Sequence, residues 1–106
     1  MGLVSATPVP LPKDAAIFEL RPEALTVQTR EYRLPGTLVA LDLVMEGRAL
    51  PLHLPIAACL VMDKDRRGFL YHLRLCFDSL PESDRQLIAL FIAKGRGSPE
   101  LKPFAR

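Results

Sequence analysis

His53, His72, Cys59 and Cys76 are the side chains here that could act as a nucleophile, a general base or a soft metal ligand. His72 and Cys76 stand four residues apart in an alternating apolar–polar run that reads as a strand. A strand rises ~3.3 Å per residue, so the two are held about 13 Å apart, too far for a thiolate–imidazole couple. Neither cysteine has a second ligand at the close spacing that zinc sites use. The carboxylate pairs are Asp63 with Asp65 and Glu82 with Asp84, beside the lone Asp42. Asp63-Lys64-Asp65 runs straight into Arg66-Arg67, and such alternating charge compensates itself in solvent rather than setting an acid against a base. Arg66 and Arg67 are the pair that could contact an anion there. Gly95-Arg96-Gly97 follows a helical pattern instead of opening one, which excludes a phosphate cradle. The expected chemistry is therefore non-enzymatic, with no catalytic residue, no metal and no cofactor.

The elements around these residues are mostly strands. Met1 to Asp14 carries Pro8, Pro10 and Pro12 and reads as a flexible, extended arm. Ala15 to Leu20 and Ala24 to Thr29 form short strands joined by Arg21-Pro22-Glu23, and Pro35-Gly36 turns the chain again. From Thr37 to Met45 the residues Val39, Leu41, Leu43 and Met45 alternate with Leu38, Ala40, Asp42 and Val44. After Glu46-Gly47 the alternation resumes as Leu50, Leu52, Leu54, Ile56, Ala58, Leu60 and Met62. Pro51 and Pro55 fall on the other parity and mark an edge, a bulge or a break. Past the charged loop Asp63 to Gly68, the residues Phe69, Tyr71, Leu73, Leu75 and Phe77 make the clearest apolar face, with His72, Arg74 and Asp78 opposite. Ser79 to Glu82 resembles a capping box before a helix over about Glu82 to Lys94, whose stripe is Leu87, Ile88, Phe91 and Ile92. Gly95 stops that helix, and residues 95–106 read as a flexible tail.

Composition bounds the rest. At 106 residues, with 49% hydrophobic side chains, the chain supports one domain (residues 15–94) with its own core. Fourteen Lys and Arg against twelve Asp and Glu leave a net charge of +2, too little for a nucleic-acid face. An OB-like barrel stacking bases would need exposed rings among basic residues, and Tyr32 is the main ring outside the expected core face. No apolar run reaches the ~18 residues of a membrane span, and no signal-peptide pattern opens the chain. Two cysteines without an export signal fit reduced thiols in a cytoplasm.

The order of elements, together with Leu75-Cys76-Phe77 before a helix bearing Leu87 and Phe91-Ile92, and Pro35-Gly36 ahead of the central strand, resembles the PilZ domain over about Ala15 to Lys94. That resemblance implies a six-stranded antiparallel β-barrel with one C-terminal helix, in bacterial motility, pilus or signalling systems. Ligand-binding PilZ domains grip cyclic di-GMP with Arg-x-x-x-Arg before the barrel and Asp/Asn-x-Ser-x-x-Gly on its first hairpin. No arginine precedes Arg21, and the hairpin has Glu19, Arg21 and Ala24 where the second motif has its acid or amide, serine and glycine. The resemblance thus implies a degenerate domain that does not bind cyclic di-GMP and acts by protein–protein contacts. Leu38, Ala40, Val44 and Ile92 are the candidate contact residues, and an edge near Pro51 to Cys59 could pair two copies across a two-fold axis. The alternative is a cyclic di-GMP receptor using Arg21, Arg30, Arg33, Arg66 or Arg67, which requires at least three of these arginines to converge on one face.

Overall fold

Alternating apolar residues between tight turns build most of the chain into strands. The computed structural model describes residues 7–95 and 97–103. In order these form β1 (Val9–Pro10), β2 (Ala16–Leu20), β3 (Ala24–Thr29), β4 (Leu38–Met45), β5 (Arg48–Asp65), β6 (Gly68–Cys76), α1 (Glu82–Lys94) and β7 (Glu100–Pro103). They make one sheet in the order β1-β4-β5-β6-β3-β2, with β7 also paired to β4. All ladders are antiparallel except the short β1–β4 pair.

The turns follow local chemistry. Glu46 and Gly47 both take positive φ, 53° and 78°, the twist a two-residue hairpin needs, and Gly47 adopts it without a Cβ penalty. The alternation of β4 is realised as read: Val39, Leu41 and Leu43 are fully buried and Met45 nearly so. They meet Leu25 and Val27 of β3, Leu52, Leu54 and Ile56 of β5, and Leu73, Leu75 and Phe77 in a single core. The helix has the expected bounds, but its start differs from the capping box. Its N-cap is Pro81 with no side-chain cap, while at the other end Gly95 takes the left-handed conformation and donates its N–H to the Ile92 carbonyl. Ile88 and Phe91 carry the burial of the stripe, whereas Leu87 and Leu90 are exposed.

β5 is not broken at its prolines. It runs through both and changes partner instead, pairing β4 from Arg48 to Pro55 and β6 from Ile56 to Asp65. A register shift between Ile56 and Ala58 marks the exchange and makes Ala57 the extra residue. That shift overturns the expected alternation beyond Ile56: Cys59, not Ala58 or Leu60, packs toward the core. Leu60 and Met62 lie in solvent.

The expected closed barrel is also corrected. β2 and β7 approach each other, with Ala15 to Ile17 and Pro99 to Leu101 lining one groove, but no ladder joins them. β2 is short and bulged between Ile17 and Glu19, and the outer edge of β4 is occupied by β1 and then β7. No free edge is left on β4 to accept β2.

The ends are tied down more than the sequence suggests. Met1 to Ala6 lie outside the described residues of the expected flexible arm. The rest of the arm forms β1, buries Leu11 and Pro12, and places Asp14 against the Thr29 hydroxyl and the Arg30 amide. Of the expected flexible tail, Arg96 and residues 104–106 lie outside the described residues, while Glu100–Pro103 returns as a strand.

Candidate interaction surface

The residues with potential chemistry are not brought together. His53 lies on β5 opposite Ala40, and Cys59 and Cys76 are free, half-buried thiols on different strands. His72, expected on an outward face, is buried. Its ring nitrogen lies 3.2 Å from the Gln28 amide oxygen, and Phe18 covers it at a ring separation of 4.1 Å. The imidazole thus sits as a satisfied side chain beneath an aromatic lid. Among the described residues no group of three or more His, Cys, Asp or Glu could hold a metal ion.

The family-motif positions sit on the β2–β3 hairpin, where Arg21 and Ala24 exchange backbone hydrogen bonds around Pro22-Glu23. The Arg21 guanidinium lies 2.9 Å from Glu19, and that hydrogen bond raises its already high pKa. Ala24 is buried and offers nothing to a ligand. Arg33 pairs with Glu31 at 3.1 Å. Arg30 makes a two-pronged contact with Asp65, both nitrogens at 2.8 Å, and Asp65 also accepts the Arg67 amide at 2.8 Å. These bonds, the Arg30 guanidinium first, hold the Asp65 carboxyl below the usual carboxylate range. The turn of Arg66 and Arg67 therefore stands beside an arginine already committed to a carboxylate, and Arg21 is on a separate hairpin.

The apolar face of β6 carries the most informative geometry. Leu73, Leu75 and Phe77 on that face are fully buried, but Tyr71 is half-buried and Phe69 is 43% exposed. The face predicted from Phe69 to Phe77 is real; its first part simply runs past the end of the core. β5 accompanies it there, with Val61 opposite Tyr71 and Lys64 opposite Phe69. Together they make a hairpin arm, residues 57–71, that forms a sheet edge up to Val61 and runs past the β3 ladder from Asp63 to Leu70. Tyr32 stands edge-on to Tyr71 at 5.7 Å, Phe69 lies 6.1 Å from Tyr71, and the Lys64 ammonium sits 5.3 Å above Phe69. The arm is apolar on its other face as well, where Leu60 pairs in register with His72 beside exposed Phe18. Leu60, Val61 and Met62 are each more than half exposed, three successive large apolar residues in water. Isolated exposed apolar residues are ordinary, whereas neighbouring ones in sequence are less so.

The surface expected from sequence lies elsewhere and is not free. Ala40 is 3% exposed and stands in register with Pro10 of β1, Leu38 and Val44 are half-buried, and Ile92 packs on the core. The alternation of β4 holds, but the pairing of its outer edge by β1 and β7 is not encoded in that alternation. Strand β5 could have revealed the arm: Leu60-Val61-Met62 has apolar residues on both parities, which one buried face does not require.

One cavity of about 210 Å³ lies between the β4–β5 hairpin and α1, lined by Met45, Leu50, Leu87, Leu90 and Phe91, with Arg48 and Lys94 at its rim. That is small against the ~300–1,000 Å³ of typical ligand pockets. Lys94 is also drawn to Glu46 at 3.9 Å. No helix among the described residues is long and apolar enough to cross a membrane. No family model matches the chain, and no curated protein or solved structure matches it.

Proposed function

We propose that this chain is a non-enzymatic interaction module, built on a PilZ-like plan of short antiparallel strands followed by one helix, and that the β5–β6 arm is its docking element. The observation carrying this reading is the apolar face of β6 running off the core into solvent, flanked by Leu60, Val61 and Met62. Burying such side chains against a partner gains ~25 cal/mol per Å² of apolar surface, whereas exposing them in a free chain gains nothing. A signalling or motility adaptor in the cytoplasm is the role in keeping with that plan.

Cyclic di-GMP is not the ligand in this reading. Phosphate recognition needs guanidiniums available to bind bidentately, and Arg21, Arg30 and Arg33 each already hold a carboxylate of this chain. Two measurements test the proposal. Isothermal titration with cyclic di-GMP is expected to be silent, and saturable low-micromolar binding would overturn the module reading in favour of a receptor. A photo-crosslinking residue placed at Val61 is expected to give a discrete adduct in cells. The same residue at Asp78, outside the arm, is expected to give none. Equal labelling at both positions refutes the arm as the docking element.

A further inference from the structure

The edge of β5 narrows the choice of partner. On the β4 side, ladder pairing ends at Pro55, and the next residue, Ile56, is satisfied by Gly36 and Thr37 at 2.8 and 2.9 Å. From Ala57 onward that edge has no strand partner among the described residues, although β6 pairs the opposite edge to Asp65. Natural sheets protect such edges with proline, lysine or inward charge. Along Arg48 to Pro55, where β6 does not pair β5, Pro51 and Pro55 do this. From Ala57 to Met62 there is neither a charge nor a proline.

An antiparallel pair related by a two-fold axis must place that axis on a single residue, because paired residues face the same side of the sheet. Ala58 to Val61 is the regular run, bounded by the shifts at Ala57 and Met62. An axis at Leu60 pairs Leu60 with itself, Cys59 with Val61, and Ala58 with Met62. Asp63 then falls opposite Ala57, and the pairing ends there because Ile56 is already held by Gly36 and Thr37, so no like charges meet. Arg74, exposed and in register with the small Ala58, lies on the side where the other copy's Asp63 arrives. The edge is thus complementary to itself in both apolar content and charge. We propose that its occupant is a second copy of this chain, joined antiparallel through β5 into one continuous sheet across the dimer. This rests on the arm being the docking element.

Sedimentation velocity of the full chain from micromolar to millimolar concentration tests it. The expected result is a concentration-dependent dimer whose dissociation constant rises at least about tenfold in Leu60→Lys and stays unchanged in Leu90→Lys, a comparably exposed helical site. In a Cys59→Ser/Cys76→Ser background, Leu60→Cys is expected to oxidise to a disulfide-linked dimer, since the axis pairs position 60 with itself, while Phe18→Cys is not. A wild-type monomer throughout the range, or a dimer indifferent to Leu60→Lys, would overturn the proposal. If the monomer still gives the Val61 adduct with a different polypeptide, the second copy is refuted while the docking element stands. A circular-dichroism melt of Leu60→Lys matching wild type shows that lost association is not lost folding.

Discussion

Arg30 and Asp65 fasten the end of β3 to the tip of the arm, and the physical chemistry of that tie predicts how it responds to acid. The folded state holds the Asp65 carboxyl below its usual range, chiefly through the Arg30 hydrogen bond and then the Arg67 amide. A lowered folded-state pKa contributes stability above the unfolded value and loses it as pH falls through the folded one. Hydrogen-exchange protection of Gly68 to Tyr71, corrected for intrinsic rate, is therefore expected to be flat near neutrality and to fall below about pH 4. Asp65→Asn should abolish that dependence. Both partners are open to solvent, so the melting temperature is expected to move little. Position in the core decides the opposite case. Leu41→Ala, at a fully buried site, is expected to cost 2–5 kcal/mol or thereabouts by denaturant titration, whereas Val61→Ala stays within about 0.5 kcal/mol.

At the level of elements, β5 shows what a sequence pattern carries and what it does not. Ala57 is the extra residue where the strand leaves β4 for β6. Deleting it forces a straight ladder that cannot serve both partners, and a loss of about 2 kcal/mol, on the order of 10 °C in melting temperature, is expected. Deleting Met62, the extra residue of the outer shift, should disturb only the arm and leave the melt nearly unchanged. For the helix end, Gly95 has φ 62° with open space where a Cβ would go, so Gly95→Ala is expected to cost about 1 kcal/mol through the backbone alone. Most turns, the helix bounds and the buried faces of β4 and β6 were legible because each depends on local chemistry or on a period of two. The charged loop expected from Asp63 to Gly68 narrows to Arg66-Arg67, since cross-strand pairing carries β5 on to Asp65 and starts β6 at Gly68. The reversal of parity at Cys59 was not legible, since a bulge is fixed by two strands together. Nor was the exposure of Phe69, because an apolar face does not say how far its covering extends. Arg30 reaching Asp65, thirty-five residues away, was equally hidden from spacing.

Over the whole molecule, the chain's ends complete the sheet on the outer edge of β4. β1 pairs Val39 and Ala40, and β7 takes Leu41 to Val44 while Leu101 packs on the core. Truncation after Pro99 would open that edge beside fully buried Leu41 and Leu43. The truncated chain is expected to melt several degrees lower and to scatter light on heating, as unprotected edges do. The candidate surface lies farther along β5, beyond Pro55 where pairing with β4 ends, so truncation should spare the Val61 crosslink below the melting temperature.

The sharing of β5 also has a consequence in time. β4, β5 and β6 are consecutive in the chain and joined by two-residue turns, so they can assemble as one meander from local contacts, without closing a long loop. β3 can pair β6 only after the chain between Thr29 and Gly68 has been gathered in, and β7 must find β4 from beyond the helix. Local contacts form early and distant ones late. The apolar arm is therefore expected to form on the nascent meander before the sheet is completed around it, with the edge proposed for the second copy already exposed.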